Sequence, residues 1–297
     1  MTVTTRVALA TSAPGLDADS DMPALLEALR ARGLDAEAAA WDDEDFDWSG
    51  CDAVVIRSTW DYPLRRPEFL AWADAVQAVA RLDNPAGVVR WNTDKVYLRD
   101  LAGRGVPVVP TRFVAPGEEA VLPDGGEFVV KPSVSAGAYG AARYTAAQRD
   151  LAVGHVAALH DAGSTVMVQP YLSRIDEGER ALVFLGGAFS HAIRKDPVLT
   201  EPGVVDNDRV PHPNLRPHRP SAAELALARA ALAAVPERQE ELLYARVDIA
   251  YADDGSPVVM ELELVEPNLF MDHEAQGPAR FADLVYRRTA ERAGVTT

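Results

Sequence analysis

Glu127-Phe-Val-Val-Lys131-Pro-Ser133-Val-Ser135-Ala-Gly137-Ala-Tyr-Gly140 runs from a short apolar strand into a loop of small residues, with a lysine at the junction. Backbone N–H groups of a Gly/Ser loop can approach phosphate oxygens closely, and a lysine at the strand end adds a point charge. The stretch is not a Walker A loop, since no G-x-x-x-x-G-K-[ST] is present. Taken alone it reads equally well as a glycine-rich turn, so its meaning depends on what lies on either side.

Upstream, Arg6–Ala10 has the unbroken apolar character of a buried parallel strand, and the spacing over 21–32 predicts a helix ended by Gly33. Strands over 34–41 and 53–56 and a helix over 67–82 complete an α/β opening, closed by the Asn84-Pro85 turn. A helix over 94–104 and an extended stretch over 108–113 precede the quoted strand. Downstream come a helix over 145–161 and a strand over 165–169, then longer strands, 180–185 and 188–194, joined at Gly186-Gly187 as a hairpin. Residues 196–220 hold six prolines and little apolar period, a loop long enough to be a lid. Ser221 and Glu224 make a capping box for a helix over 221–234. Strands over 244–251 and 257–263 and a helix over 278–293 end the chain, which divides as 1–90, 91–170 and 171–297.

The chain has 297 residues, a formal charge of −16 and 48% hydrophobic residues, ordinary globular composition with strong acidity. Such a surface repels nucleic-acid backbones and anionic membranes, and there is no basic stripe, so neither is expected as a partner. The single cysteine, Cys51, forms no intramolecular disulfide and suits a reducing compartment. Residues 1–10 read as neither signal peptide nor anchor, and no apolar run reaches the ~18 residues of a membrane span. A soluble cytoplasmic protein is the expectation.

Acidic residues on strands carry the second chemical signal, after the Lys131 strand and loop. Arg246 and Asp248 alternate with Ala245, Val247 and Ile249, so they share a face of one strand; Glu261 and Glu263 share a face of the next. Three carboxylates beside a guanidinium either form a solvated face of ordinary ion pairs or hold a metal, and an oxygen-only donor set favours Mg²⁺ over zinc. Gln169-Pro-Tyr-Leu172 is an extended hinge able to offer backbone groups to an adenine edge, or a plain linker. Glu179-Arg180 and His191-Ala-Ile-Arg194-Lys195 add cations able to neutralise a transferring phosphoryl group. Arg57-Ser58-Thr-Trp60-Asp61-Tyr62 sits at the carboxyl end of a strand, where α/β sheets bind ligands; its aromatics fit a core equally well.

In this order, Asn92-Thr-Asp-Lys95, the Lys131–Gly140 strand and loop, Gln169–Leu172, Glu179-Arg180, Arg246-Val-Asp248 and Glu261-Leu-Glu263 with Pro267 resemble the ATP-grasp superfamily over nearly the whole chain. The resemblance implies a three-part fold: an amino-terminal Rossmann-like pre-ATP-grasp, substrate-side domain, a central lid subdomain, and a carboxy-terminal subdomain with the metal site. It further implies that Lys95 and Lys131 hold ATP phosphates under the loop at Ser135 and Gly137. Gln169, Pro170, Tyr171 and Leu172 would take the adenine, and Glu179 the ribose. Asp248, Glu261 and Glu263 would bind Mg²⁺, two ions with Mn²⁺ as a substitute. Arg246, Arg180, Arg194 and Lys195 would act on the phosphoryl group, and Arg57, Ser58, Trp60 and Asp61 would bind substrate. One departure is Glu263, where relatives such as glutathione synthetase usually have Asn. Within the superfamily, residues 57–62, 177–184, 190–195 and 261–267 look most like the actinobacterial group that includes the cyclo-ligase of D-cycloserine biosynthesis, which closes O-ureido-D-serine with ATP. The implied reaction activates a carboxylate as an acyl phosphate and forms a C–N bond on an amino-acid-like small molecule. Since many relatives dimerise, a homo-oligomer is also implied. An intermolecular carboxylate–amine ligase, an ATP-grasp kinase and a non-catalytic nucleotide binder are the competing readings.

Overall fold

Apolar runs with no polar face must be covered on both sides, and this shapes the first layer. The computed structural model describes residues 4–205, 207, 214–237 and 241–292. Four parallel strands form the first sheet in the order β2-β1-β3-β4: β1 (Arg6–Thr11), β2 (Asp35–Ala40), β3 (Ala53–Ile56) and β4 (Arg81–Asp83). A short helix α1 (Gly15–Ala18) and α2 (Met22–Ala31) connect β1 to β2, and α3 (Arg66–Val79) connects β3 to β4. Gly33, at φ +80°, ends α2 as expected: its N–H reaches the Arg30 carbonyl while Leu34 N–H reaches Leu29. The helix expected over 67–82 is shorter than its pattern suggested, because Arg81–Asp83 pairs with Ala53–Val55 as an edge strand. Three residues are too few to show a strand period. Likewise α4 (Ala86–Asn92) follows Pro85 where only a turn was foreseen.

The second sheet is antiparallel, in the order β5-β8-β6-β7. After α5 (Tyr97–Gly103) come β5 (Arg112–Val114), β6 (Glu127–Pro132), β7 (Ala142–Thr145), α6 (Arg149–Asp161) and β8 (Val166–Pro170). Phe128, Val130, Tyr144, Val156 and Val166 bury between sheet and helix, roughly 1.5–3 kcal/mol for each large apolar side chain. The stretch expected to be extended over 108–113 pairs in this sheet only from Arg112; Val108 and Val109 lie instead beside Val259.

The third sheet is antiparallel, in the order β11-β10-β9-β12-β13. It comprises β9 (Glu179–Leu185), β10 (Ala188–Lys195), β11 (Arg216–Pro217), β12 (Tyr244–Tyr251) and β13 (Pro257–Glu263), with α7 (Ala222–Ala233) against one face. The foreseen capping box starts α7, with Ser221 and Glu224 bonded reciprocally. The last helix, α8 (Gly277–Arg292), turns back across α2, so Phe281 and Val285 pack with Val7, Leu25 and Leu29 of the first layer. Of the expected lid over 196–220, residues 206 and 208–213 lie outside the described residues, as do residues 1–3 and the last residue of the helix expected over 278–293. Among the described residues no helix is long and apolar enough to cross a membrane.

Candidate active site

Strand register builds one wall of a cavity of about 780 Å³ lying between the three sheets. In the β12–β13 pair Arg246 stands opposite Glu263 and Asp248 opposite Glu261, and a bulge after Asp248 absorbs Met260. Since β13 is an edge strand, its outer backbone groups need other partners. Leu262 N–H goes to the Tyr97 hydroxyl, while Asn92 accepts from Leu264 and donates to the Leu262 carbonyl. Those bonds, each 2.8 Å, fix the strand on both sides of Glu263. On the neighbouring strands, Glu179 pairs with Lys195 on the face that carries Asp248.

Every carboxylate on this wall already faces a cation. Arg246 holds Asp248 through two bonds of 2.9 Å and also binds Glu263. Lys195 Nζ lies 2.7 Å from Asp248 and 3.2 Å from Glu179, and Lys131 Nζ lies 3.0 Å from Glu261. Burial alone would raise the Asp248 carboxyl, but Arg246 and Lys195 outweigh it and hold it far below the usual carboxylate range. Glu261 is brought down to about 2, burial being overcome by Lys95 and Lys131. Glu263 goes the other way: burial raises it, and the charges of Asp248 and Glu261 add to that rise against Arg246. Burial would lower Lys195, yet Asp248 and Glu179 keep it protonated.

The opposite wall is the quoted loop. Gly137 and Gly140 take φ of +62° and +71°, which side chains disfavour, and Ser135 Oγ closes the loop on the Tyr139 carbonyl at 2.6 Å. Lys95 Nζ donates to the Ser135 carbonyl at 2.5 Å, so Lys95, Lys131, Ser135 and Gly137 converge on one end of the cavity. Gln169, Pro170, Tyr171 and Leu172 line its flank. Trp60 and Asp61, from the turn that follows β3, line the cavity with Tyr62. Pro197, Val198 and Leu199, from the described part of the expected lid, also border the space.

Four expected site residues lie elsewhere. Arg180 and Arg194 pair with each other across β9 and β10, on the face turned away from Glu179 and Lys195. Arg180 meets Glu224 at 3.6 Å and stacks over Tyr251 instead. Arg57 is 1% exposed and faces Asp21 and Asp19, and Ser58 bonds Thr11 at 2.6 Å within the core. Neither borders the cavity.

Sequence reasoning missed Glu266, which lines the cavity near Tyr62 and just past the end of β13, where strand alternation no longer applies. Burial and the Glu263 charge push its carboxyl up to about 8, against Lys95 and Tyr62. The folded state therefore binds a proton that the unfolded chain releases near pH 4.5. Its contribution to stability is full below that pH and lost as pH rises towards 8. Glu266→Gln, which mimics the protonated form, is expected to raise Tm by roughly 2–4 °C at about pH 8 and not at about pH 5. An equal gain at both pH values in thermal melts contradicts the assignment.

Among the described residues no three potential ligands are gathered as a ready metal cage. Magnesium, however, is ordinarily held by one or two carboxylates together with substrate phosphates and water. Asp248, Glu261 and Glu263 supply oxygen donors only, on the wall facing the phosphate-type loop, and so fit that ion.

Known proteins resemble this chain over nearly its whole length. Residues 7–84 match the family model described as D-cycloserine synthetase DcsG, N-terminal domain. The cycloserine biosynthesis protein DcsG of Streptomyces lavendulae is 42% identical, over 95% of this chain and 98% of that protein. A crystal structure of D-cycloserine synthetase DcsG superposes with a TM-score of 0.87 at 39% identity, covering 96% of this chain and 99% of the other. D-alanine–D-alanine ligase from Bacillus anthracis, complexed with ATP, shares the fold at a TM-score of 0.71 and 14% identity, over 99% of both chains.

Proposed function

Because the chain belongs to the DcsG family and is an ATP-dependent, C–N bond-forming ligase of ATP-grasp fold, we propose that it closes O-ureido-D-serine into the D-cycloserine ring. The observation supporting this specificity is that the likeness to DcsG extends through the amino-terminal residues 7–84, the part that supplies Trp60, Asp61 and Tyr62 to the substrate end of the cavity.

The geometry suits two successive displacements. A carboxylate oxygen of the substrate attacks the γ-phosphorus, the bond to the bridging oxygen breaks, and ADP leaves with its electron pair. The ureido nitrogen bound to oxygen then attacks the acyl phosphate carbon, loses its proton, and expels inorganic phosphate. The new C–N bond closes the ring with the carbamoyl group still on nitrogen; one water then cleaves that N–C bond, the ring nitrogen takes a proton, and the carbamoyl group leaves as carbamic acid, which breaks down to CO₂ and ammonia.

In this reading Gln169–Leu172 hold the adenine edge and Glu179 the ribose, while Lys95 and Lys131 hold the phosphates beneath the loop at Ser135 and Gly137. Arg246 and Lys195 face the transferring phosphoryl, and Trp60 and Asp61 border the amino acid. Asp248, Glu261 and Glu263 would hold Mg²⁺, as two ions or with Mn²⁺ in its place. The metal supplies charge neutralisation for the phosphates when bound. The loop 133–140 and the cavity-bordering part of 196–220 keep water from the acyl phosphate.

Lys131→Ala is expected to weaken ATP binding roughly 10- to 100-fold with a smaller change in kcat; unaltered ATP affinity by calorimetry contradicts the phosphate-loop assignment. The substrate assignment is tested by phosphate release with Mg-ATP across O-ureido-D-serine, its L-enantiomer and D-alanine, with and without added amines. Release with O-ureido-D-serine alone, together with a cyclised product, is the expected result. Release that requires an amine acceptor identifies an intermolecular ligase, and phosphate retained on the product identifies a kinase.

A further inference from the structure

Asp21, the residue before α2, reaches far from its own layer. It is 1% exposed, yet it accepts two backbone hydrogen bonds from beyond β13: Leu269 N–H at 2.8 Å and Met271 N–H at 2.8 Å, one on each carboxylate oxygen. Its counter-ion, Arg57, is further away at 3.4 Å and is itself 1% exposed. The shorter bonds, and one from each oxygen, go to the turn. Between the two bonded N–H groups sits Phe270, at φ 52° and ψ 45°. A left-handed backbone is disfavoured for an aromatic residue and persists only where its surroundings enforce it. On the other side of the turn, His191 Nε2 donates to the Leu269 carbonyl at 2.8 Å.

What this turn carries is the seat of Arg246. The Phe270 ring lies 5.4 Å from the Arg246 guanidinium carbon, and the Asn268 carbonyl accepts from Arg246 Nη1 at 3.1 Å. Asp248 and Glu263 grip the guanidinium from its remaining sides. Two of its contacts thus come from sheet residues and two from a turn that Asp21 ties to the first layer.

We propose that Asp21 is a positioning residue for the ligase reaction, holding the 268–271 turn so that Arg246 faces the transferring phosphoryl group, with Arg57 as its buried counter-ion. This rests on the role given to Arg246 above. Asp21 borders no part of the ATP flank, so its loss acts on the chemical step and leaves nucleotide affinity intact.

The test is a double-mutant cycle of Asp21→Asn with Arg246→Lys, reading kcat, ATP affinity and melting temperature on the full chain. Asn keeps one acceptor but turns an N–H towards the second backbone N–H. Asp21→Asn alone is expected to lower kcat roughly 10- to 100-fold at nearly unchanged ATP affinity, since a misplacement of about 1 Å can cost that much. In the Arg246→Lys background it is expected to add less than about threefold, because the group it positions is already changed. Full additivity, or an Asp21→Asn enzyme with parental kcat, overturns the proposal. Parental turnover in Arg246→Lys alone instead removes the role of Arg246, and the proposal with it, so the two failures are distinguishable. Should Asp21→Asn fail to fold, Asp21→Glu, which keeps the charge opposite Arg57 but moves the carboxylate by one methylene, carries the same cycle.

Discussion

Glu261→Gln is expected to reduce turnover about a thousandfold while leaving the fold intact. Glu261 stands opposite Asp248 on a strand held by Tyr97 and Asn92, and Lys95 and Lys131 keep its carboxyl ionised down to about pH 2. The amide keeps the shape and removes the charge that a divalent ion needs at this place. Removing a single preorganised electrostatic group from a phosphoryl or acyl transfer site costs about 10²–10³ in rate, and loss of metal charge adds to this. Because the Glu261 side chain is 24% exposed to the cavity, the change leaves no sealed, uncompensated charge. Steady-state turnover measured beside a melting curve decides the matter. Near-normal turnover with an unchanged melting curve contradicts the metal assignment.

Arg246→Ala acts differently, because Arg246 belongs to the fold as well as to the chemistry. Its side chain is 6% exposed and compensates Asp248, which is 3% exposed. Removing one partner of a buried ion pair typically destabilises by about 3–5 kcal/mol, even where the intact pair contributes little net. Lys195 remains beside Asp248 and limits the loss. Catalytically, kcat is expected to fall roughly 10²–10³-fold with a much smaller change in ATP affinity, the pattern of an interaction realised in the transition state. Equal losses in kcat and ATP affinity would show that the guanidinium only holds nucleotide.

Much of the site was legible from strand alternation. Arg246 with Asp248 and Glu261 with Glu263 were placed on shared faces by the period of two, and the register brings those faces together. The same rule, applied to Glu179-Arg180 and Arg194-Lys195, separates the members of each pair. Only Glu179 and Lys195 turn to the cavity, and Arg180 and Arg194 turn from it.

Other features depend on contacts that no local pattern carries. Arg57 reads as a substrate cation at a strand end until Asp21, 36 positions earlier, is found against it in the core. Glu266 follows the last ladder pair of β13, so alternation gives no side for it. The strand Arg81–Asp83 and the helix Ala86–Asn92 are too short for periodicity, and they are set by pairing with β3 and by Asn92 reaching the Leu262 carbonyl. The long elements, in contrast, kept their foreseen type, because burial repeated over a dozen residues leaves little ambiguity.

The proposed chemistry spends ATP on the substrate carboxylate itself. It is tested most directly with O-ureido-D-serine carrying ¹⁸O in its carboxylate, followed through a single turnover with Mg-ATP and analysis of the released phosphate. One ¹⁸O transferred to each inorganic phosphate, with ADP formed in equal amount, is the expected result. Phosphate free of label, formed while the ring closes, would show that the carboxylate is never phosphorylated.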